Sequence, residues 1–123
     1  MPLDYPIAAP PAACEIFPIA TGVHWLRMPL PFALDHINLW LLEDGAGWTI
    51  IDTGFGLDRV KECWLAILAG LSQGNRGSRI TRIIITHFHP DHLGLAAWLQ
   101  ERTAAAVWMT VGEYLTAHAV WHE

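Results

Sequence analysis

The sequence predicts an α/β (α+β) fold, a mixed sheet with helices on one face. Three observations predict it. Short runs rich in β-branched, aromatic and leucine residues open the chain, bounded by Pro and Gly. From Asp58 onward, helical and strand patterns alternate. The run Ile83-Ile84-Ile85 is apolar at consecutive positions, as expected of a strand buried on both faces.

Residues 1–19, broken by five prolines, read as an irregular segment, and residues 20–123 as the domain. Val23 to Met28 suits a first strand, ended by Pro29 and Pro31. His36 to Glu43 is a second, and Trp48 to Ile51 a third. The Asp44-Gly45-Ala46-Gly47 turn makes these two a hairpin. Asp52-Thr53-Gly54-Phe55-Gly56 is a loop, and Asp58 is placed to cap a helix. In that helix Val60, Trp64, Ile67, Leu68 and Leu71 recur at helical spacing. Residues 72–78 form a surface loop and residues 80–86 a fourth strand. One helix is expected from about His92 to Arg102, then a short fifth strand from Ala105 to Met109. Thr110 and Glu113 have the spacing of a capping box, so a last helix starts at Val111.

Three helices suffice to cover one sheet face, and no segment is evident for the other. Burying one Leu or Ile side chain is worth roughly 1.5–3 kcal/mol, so a bare face forfeits several such contributions. Another copy of the chain or a missing segment is expected to pack there. Composition points the same way: 53% of residues are apolar, 15% are charged, and there are seven tryptophans. The net charge of −5 disfavours nucleic acid as a partner. No apolar run reaches membrane-spanning length, so no membrane partner is expected. The proline-broken start lacks a basic leader, and cytoplasmic residence follows as the default. Cys14 and Cys63 are far apart without a C-x-x-C, and the expectation is two reduced thiols.

Thr86-His87-Phe88-His89-Pro90-Asp91-His92 follows the isoleucine strand and packs three histidines and an aspartate into six positions. Imidazole and carboxylate suit zinc, and also iron or manganese. His87 and His89, two apart in an extended loop, can point the same way, and Asp91 and His92 come where the chain turns into a helix. One loop thus offers two ligand pairs to two nearby ions. Such ions can share a hydroxide and clamp a substrate oxygen.

This segment resembles the T-H-x-H-x-D-H signature of the metallo-β-lactamase superfamily, which includes glyoxalase II-like thioesterases. Asn38 to Leu42, the Trp48 to Gly54 stretch with its D-T-G, and Asp91 to Ala96 extend the resemblance over roughly residues 20–120. It implies the N-terminal half of an αββα sandwich. It implies His87 and His89 on a first metal, Asp91 and His92 on a second, and Asp91 also orienting or deprotonating the water. Asp52 would hold the histidine loop without being a ligand. The family's second half supplies further ligands, and no aspartate follows Asp91 here. His118 and His122, four apart on a helix, are a weaker metal pair for which a solvated helix end is the plainer reading. His36 is a candidate for the mouth of the site, and His24 reads as packed or surface.

The expected function is a zinc-dependent, di-metal hydrolase acting on a small-molecule thioester, ester, lactam or phosphoester, with the site incomplete in this chain. The alternative is a non-catalytic half-domain that forms a homodimer, with or without metal.

Overall fold

The computed structural model describes residues 1–121. Six strands form one mixed sheet in sequential order: β1 (Phe17–Ala20), β2 (Val23–Pro29), β3 (His36–Asp44), β4 (Gly47–Ile51), β5 (Ile80–Ile84) and β6 (Ala106–Trp108). The first four pair antiparallel. β4, β5 and β6 run parallel, joined by helical crossovers. The carboxyl ends of the three parallel strands therefore share one edge, and the loops that follow them meet there.

α1 (Asp58–Ser72) buries Val60, Cys63, Trp64, Ile67 and Leu71 along one stripe. Its partners on the sheet include Leu26, Leu39, Leu41, Ile50 and Ile83, all wholly buried. α3 (Ala96–Thr103) adds Leu99 to the same core.

The open face carries a row of paired residues across every strand. Phe17 pairs with Trp25, Trp25 with Trp40, Trp40 with Ile51, Ile51 with Ile84, and Ile84 with Trp108. Directly opposed residues point to the same side. The Trp25 and Trp40 rings stack at 6.4 Å, and Trp108 is 56% exposed. No helix covers this row among the described residues.

Four expectations need adjustment. β1 begins inside the segment read as irregular; Phe17 packs edge-on against Trp25, and Pro18 is tolerated on an edge strand. The single helix expected from His92 is two, α2 (Pro90–Leu93) and α3, parted at Gly94 and Leu95. There the Leu95 amide donates to the Thr53 hydroxyl, 42 residues away in sequence. The third helix, α4 (Val111–Trp121), stands against the histidine loop; the sheet is covered by α1 and α3. Finally, Cys14 and Cys63 form a disulfide, which corrects the reading of two reduced thiols. Cys14 turns at φ +68°, bringing the N-terminal segment onto the wholly buried Cys63 of α1.

Candidate metal centre

The site lies at the shared carboxyl edge, between the loop after β4 and the loop after β5. β4 ends at Ile51, and Asp52 takes φ +63°, a conformation that Asp tolerates better than most residues. Asp52 is 5% exposed, and both of its oxygens are engaged. Oδ1 accepts the Thr86 amide at 2.8 Å. Oδ2 accepts the Thr86 hydroxyl at 2.7 Å and faces His92 Nδ1 at 2.8 Å. Burial alone would push the Asp52 carboxyl up in pKa. The hydrogen bonds from His92 and Thr86 outweigh burial and hold it below its ordinary value. His92 is raised in turn by its bond to Asp52, against the opposing effect of burial.

These bonds fix which ring nitrogens face outward. The Thr86 hydroxyl hydrogen is committed to Asp52. The 2.9 Å contact between Thr86 Oγ1 and His87 Nδ1 is then made by an Nδ1–H donor. His92 Nδ1 likewise donates to Asp52. In its neutral form each ring is left with an Nε2 lone pair, the form a metal requires. Hydrogen bonds of Thr53 anchor the backbone below: its amide and its hydroxyl both donate to the His92 carbonyl, at 2.8 and 2.7 Å. The buried Trp64 indole donates to the Thr53 carbonyl at 2.7 Å.

The four histidine-loop residues read from the sequence come together. His87 Nε2 lies 3.1 Å from His89 Nδ1. Two nitrogens on one tetrahedral zinc, each about 2.0–2.1 Å from the ion, would be about 3.3 Å apart, so this spacing suits one coordination edge. His92 Nε2 lies 3.6 Å from Asp91 Oδ2. The His87 and His92 rings are 4.1 Å apart, so the two pairs adjoin. One ligand atom each of Asp52, His87 and His92 lies within 4.8 Å of the others, a group able to hold an ion. His89 is exposed and His87 half-buried, leaving the cluster open on one side. The donor set fits a divalent metal.

His36 keeps to its own neighbours. Its Nδ1 pairs with Asp35 at 2.8 Å, and it lines a surface cavity with Pro11, Ala13 and Arg27. His24 packs edge-on against Trp48 in the sheet. His118 packs edge-on against Tyr114 on α4, and His122 lies outside the described residues. Sequence reasoning missed the hydrogen-bonding work of Thr53 and Thr86, although both stand inside the motifs it singled out. It also missed Glu113, whose carboxylate accepts the Phe88 amide at 2.7 Å, and Trp121, whose indole donates to the Phe88 carbonyl at 2.8 Å.

A family model described as the metallo-beta-lactamase superfamily matches residues 33–122. A beta-lactamase domain protein from Burkholderia ambifaria superposes with a TM-score of 0.85 at 43% identity, over 98% of this chain and 39% of that one. A metallo-beta-lactamase family protein from Thermus thermophilus superposes with a TM-score of 0.70 at 30% identity, over 85% of this chain and 34% of its own. A probable metallo-hydrolase, YqjP of Bacillus subtilis, is 35% identical over 71 residues, which are 57% of this chain and 21% of that protein. The chain thus spans well under half the length of these relatives.

Proposed function

The chain belongs to the metallo-beta-lactamase superfamily, and from that premise we propose that it carries the ligand-bearing loop of a zinc-dependent, di-metal hydrolase. The substrate is a small thioester, ester, lactam or phosphoester. The observation that carries this reading is the paired arrangement of His87 with His89 and of Asp91 with His92, with Asp52 behind them. When bound, the ions supply Lewis acidity and lower the pKa of a water toward about 7. His87 and His89 would hold one ion, and Asp91 and His92 the other. Iron or manganese would suit the same nitrogen and oxygen donors. Asp52 fixes the tautomers of His92 and, through Thr86, of His87. Asp91 would also orient the water or take its proton.

We further propose that the site is completed by polypeptide outside the described residues. The cluster is open on one side, and the relatives carry more chain than the match covers. The test is zinc per chain by elemental analysis, with His87→Ala/His89→Ala as the control. One or two ions bound by the wild type, lost in the variant, support the reading, along with little turnover from the 123-residue chain alone. A wild-type chain that binds no divalent metal sinks it.

A second reading rests on the bare tryptophan row: a half-domain that dimerises sheet face to sheet face. Light scattering separates the two. A dimer lost on Trp40→Glu supports self-association, and a monomer at micromolar concentration refutes it. No helix of the described residues is long and apolar enough to cross a membrane. Cytoplasmic residence stands against the Cys14–Cys63 bond, since a reducing cytosol keeps such thiols open. Thiol trapping at cell lysis decides between them. The acidic balance argues against a nucleic-acid substrate.

A further inference from the structure

We propose that Glu113 and Trp121, both on α4, are positioning residues that clamp the histidine loop and set the bite of His87 and His89; this rests on the metal-centre reading above. Phe88 stands between the two histidines. Its amide belongs to the peptide that follows His87, and its carbonyl to the peptide that precedes His89. Glu113 Oε2 accepts that amide at 2.7 Å, and Trp121 Nε1 donates to that carbonyl at 2.8 Å. Both peptides linking the ligand pair are therefore held from one helix. A hydrogen bond to an ionised carboxylate is about twice as strong as a neutral one.

The local sequence offered Glu113 another use. The Thr110 hydroxyl accepts the Glu113 amide at 3.3 Å, which is one arm of a capping box. The other arm would return the Glu113 carboxylate to the Thr110 amide. That carboxylate reaches across 25 residues of sequence to Phe88. From the opposite side, Asp52 holds Thr86 by its amide and its hydroxyl. The ligand loop is thus gripped at alternate residues, Thr86 and Phe88, by two separate parts of the chain. The Phe88 ring adds contacts with His89 at 4.8 Å and Trp121 at 6.4 Å between centroids. The helix that makes this grip is otherwise poorly buried, with Ala117 its one buried residue.

The experiment uses the full chain and zinc alone. Glu113→Ala removes the acceptor, Glu113→Gln keeps an amide oxygen to replace it, and Trp121→Phe keeps the ring and removes the N–H. Groups that orient metal ligands typically cost about 10–100-fold in affinity when lost. Zinc affinity, read by competition with a chromophoric chelator, is expected to fall about tenfold or more in E113A and in W121F, with E113Q recovering most of it. The visible bands of the cobalt-loaded chain shift in E113A and return in E113Q. In the metal-free chain, the Phe88 amide exchanges with solvent faster in E113A than in the wild type. Should E113A fail to fold, W121F decides. Wild-type zinc binding with unchanged affinity in the folded variants overturns the clamp and leaves the metal centre standing. A wild type that binds no zinc overturns the metal centre, and the clamp's purpose with it.

Discussion

Asp52 and His92, 40 residues apart, meet at 2.8 Å, and through that contact the loop after β4 sets a ring in the last turn of α2. The same carboxylate oxygen takes the Thr86 hydroxyl. One buried acid therefore orients imidazoles at both ends of the ligand loop. Asp52→Ala leaves the Thr86 amide and the His92 ring nitrogen without their acceptor. We expect the metal-free chain to lose roughly 2–3 kcal/mol in urea unfolding. Zinc affinity should also drop about 10–100-fold. Wild-type stability and affinity in D52A would remove Asp52 from the account.

Gly94 separates α2 from α3 where the two site loops touch. A Cβ there would sit 2.8 Å from the Gly54 carbonyl oxygen and 2.9 Å from the Gly56 nitrogen, both backbone atoms. The Pro90 carbonyl of α2 is nearer still, so Gly94→Ala must shift the α2 backbone, the Asp52–Gly56 loop or both. Overpacking of this kind costs about 1–3 kcal/mol, and the displaced backbone weakens zinc binding as well. Thermal melting and chelator competition on G94A check both effects. A chain that melts and binds zinc as the wild type does would show that the loops have slack.

The Cys14–Cys63 bond ties the N-terminal segment to α1 across a sequence separation of 49. In the chain-entropy account, closing a loop of that size stabilises by up to roughly 4 kcal/mol. Cys14→Ser/Cys63→Ser should lower the urea midpoint, and the unfolding free energy by an amount within that bound. A reductant should shift the wild type to the same place and leave the variant unmoved. Two titratable thiols in the purified, unreduced chain would show that the bond does not form.

Asp44 gives a pH signature away from the histidine cluster. The Thr49 and Thr81 hydroxyls donate to it, and Arg82 lies at 3.0 Å; together they hold its carboxyl below the ordinary value, against a smaller opposing effect of burial. A depressed folded pKa means that the unfolded chain binds the proton more readily. The stabilisation is therefore complete above the unfolded value of about 3.9 and is lost as pH falls through the lower folded value. Urea midpoints of wild type and Asp44→Asn should differ most near pH 7 and converge toward pH 3. A gap that stays constant over that range would contradict the assignment. Arg82 also lies 5.3 Å over the Trp108 ring, so this network reaches the edge of the bare face.

Where the signal was local, the sequence was legible. Consecutive apolar residues marked the central strands, helical spacing marked α1, and the dense run from His87 to His92 marked the loop where the imidazoles gather. What stayed hidden depended on partners distant in the chain. Nothing near Leu95 announces the helix break, because its cause is the Thr53 hydroxyl. Nothing near Cys14 names Cys63, since the bond needs the left-handed turn that brings the segment home. The Thr110 and Glu113 pair was visible as a cap, but the acid's true acceptor duty lies at Phe88. β1 was missed because Pro18 argues against a strand and only the cross-strand ring of Trp25 compensates for it.

The indoles of Trp25, Trp40 and Trp108 stand on the uncovered side of the sheet, among seven in the chain. They make the polypeptide its own optical gauge. Whatever seats on that side strips water from those chromophores and moves their emission to shorter wavelength. Occupancy becomes readable without a dye, a tag or knowledge of who the visitor is.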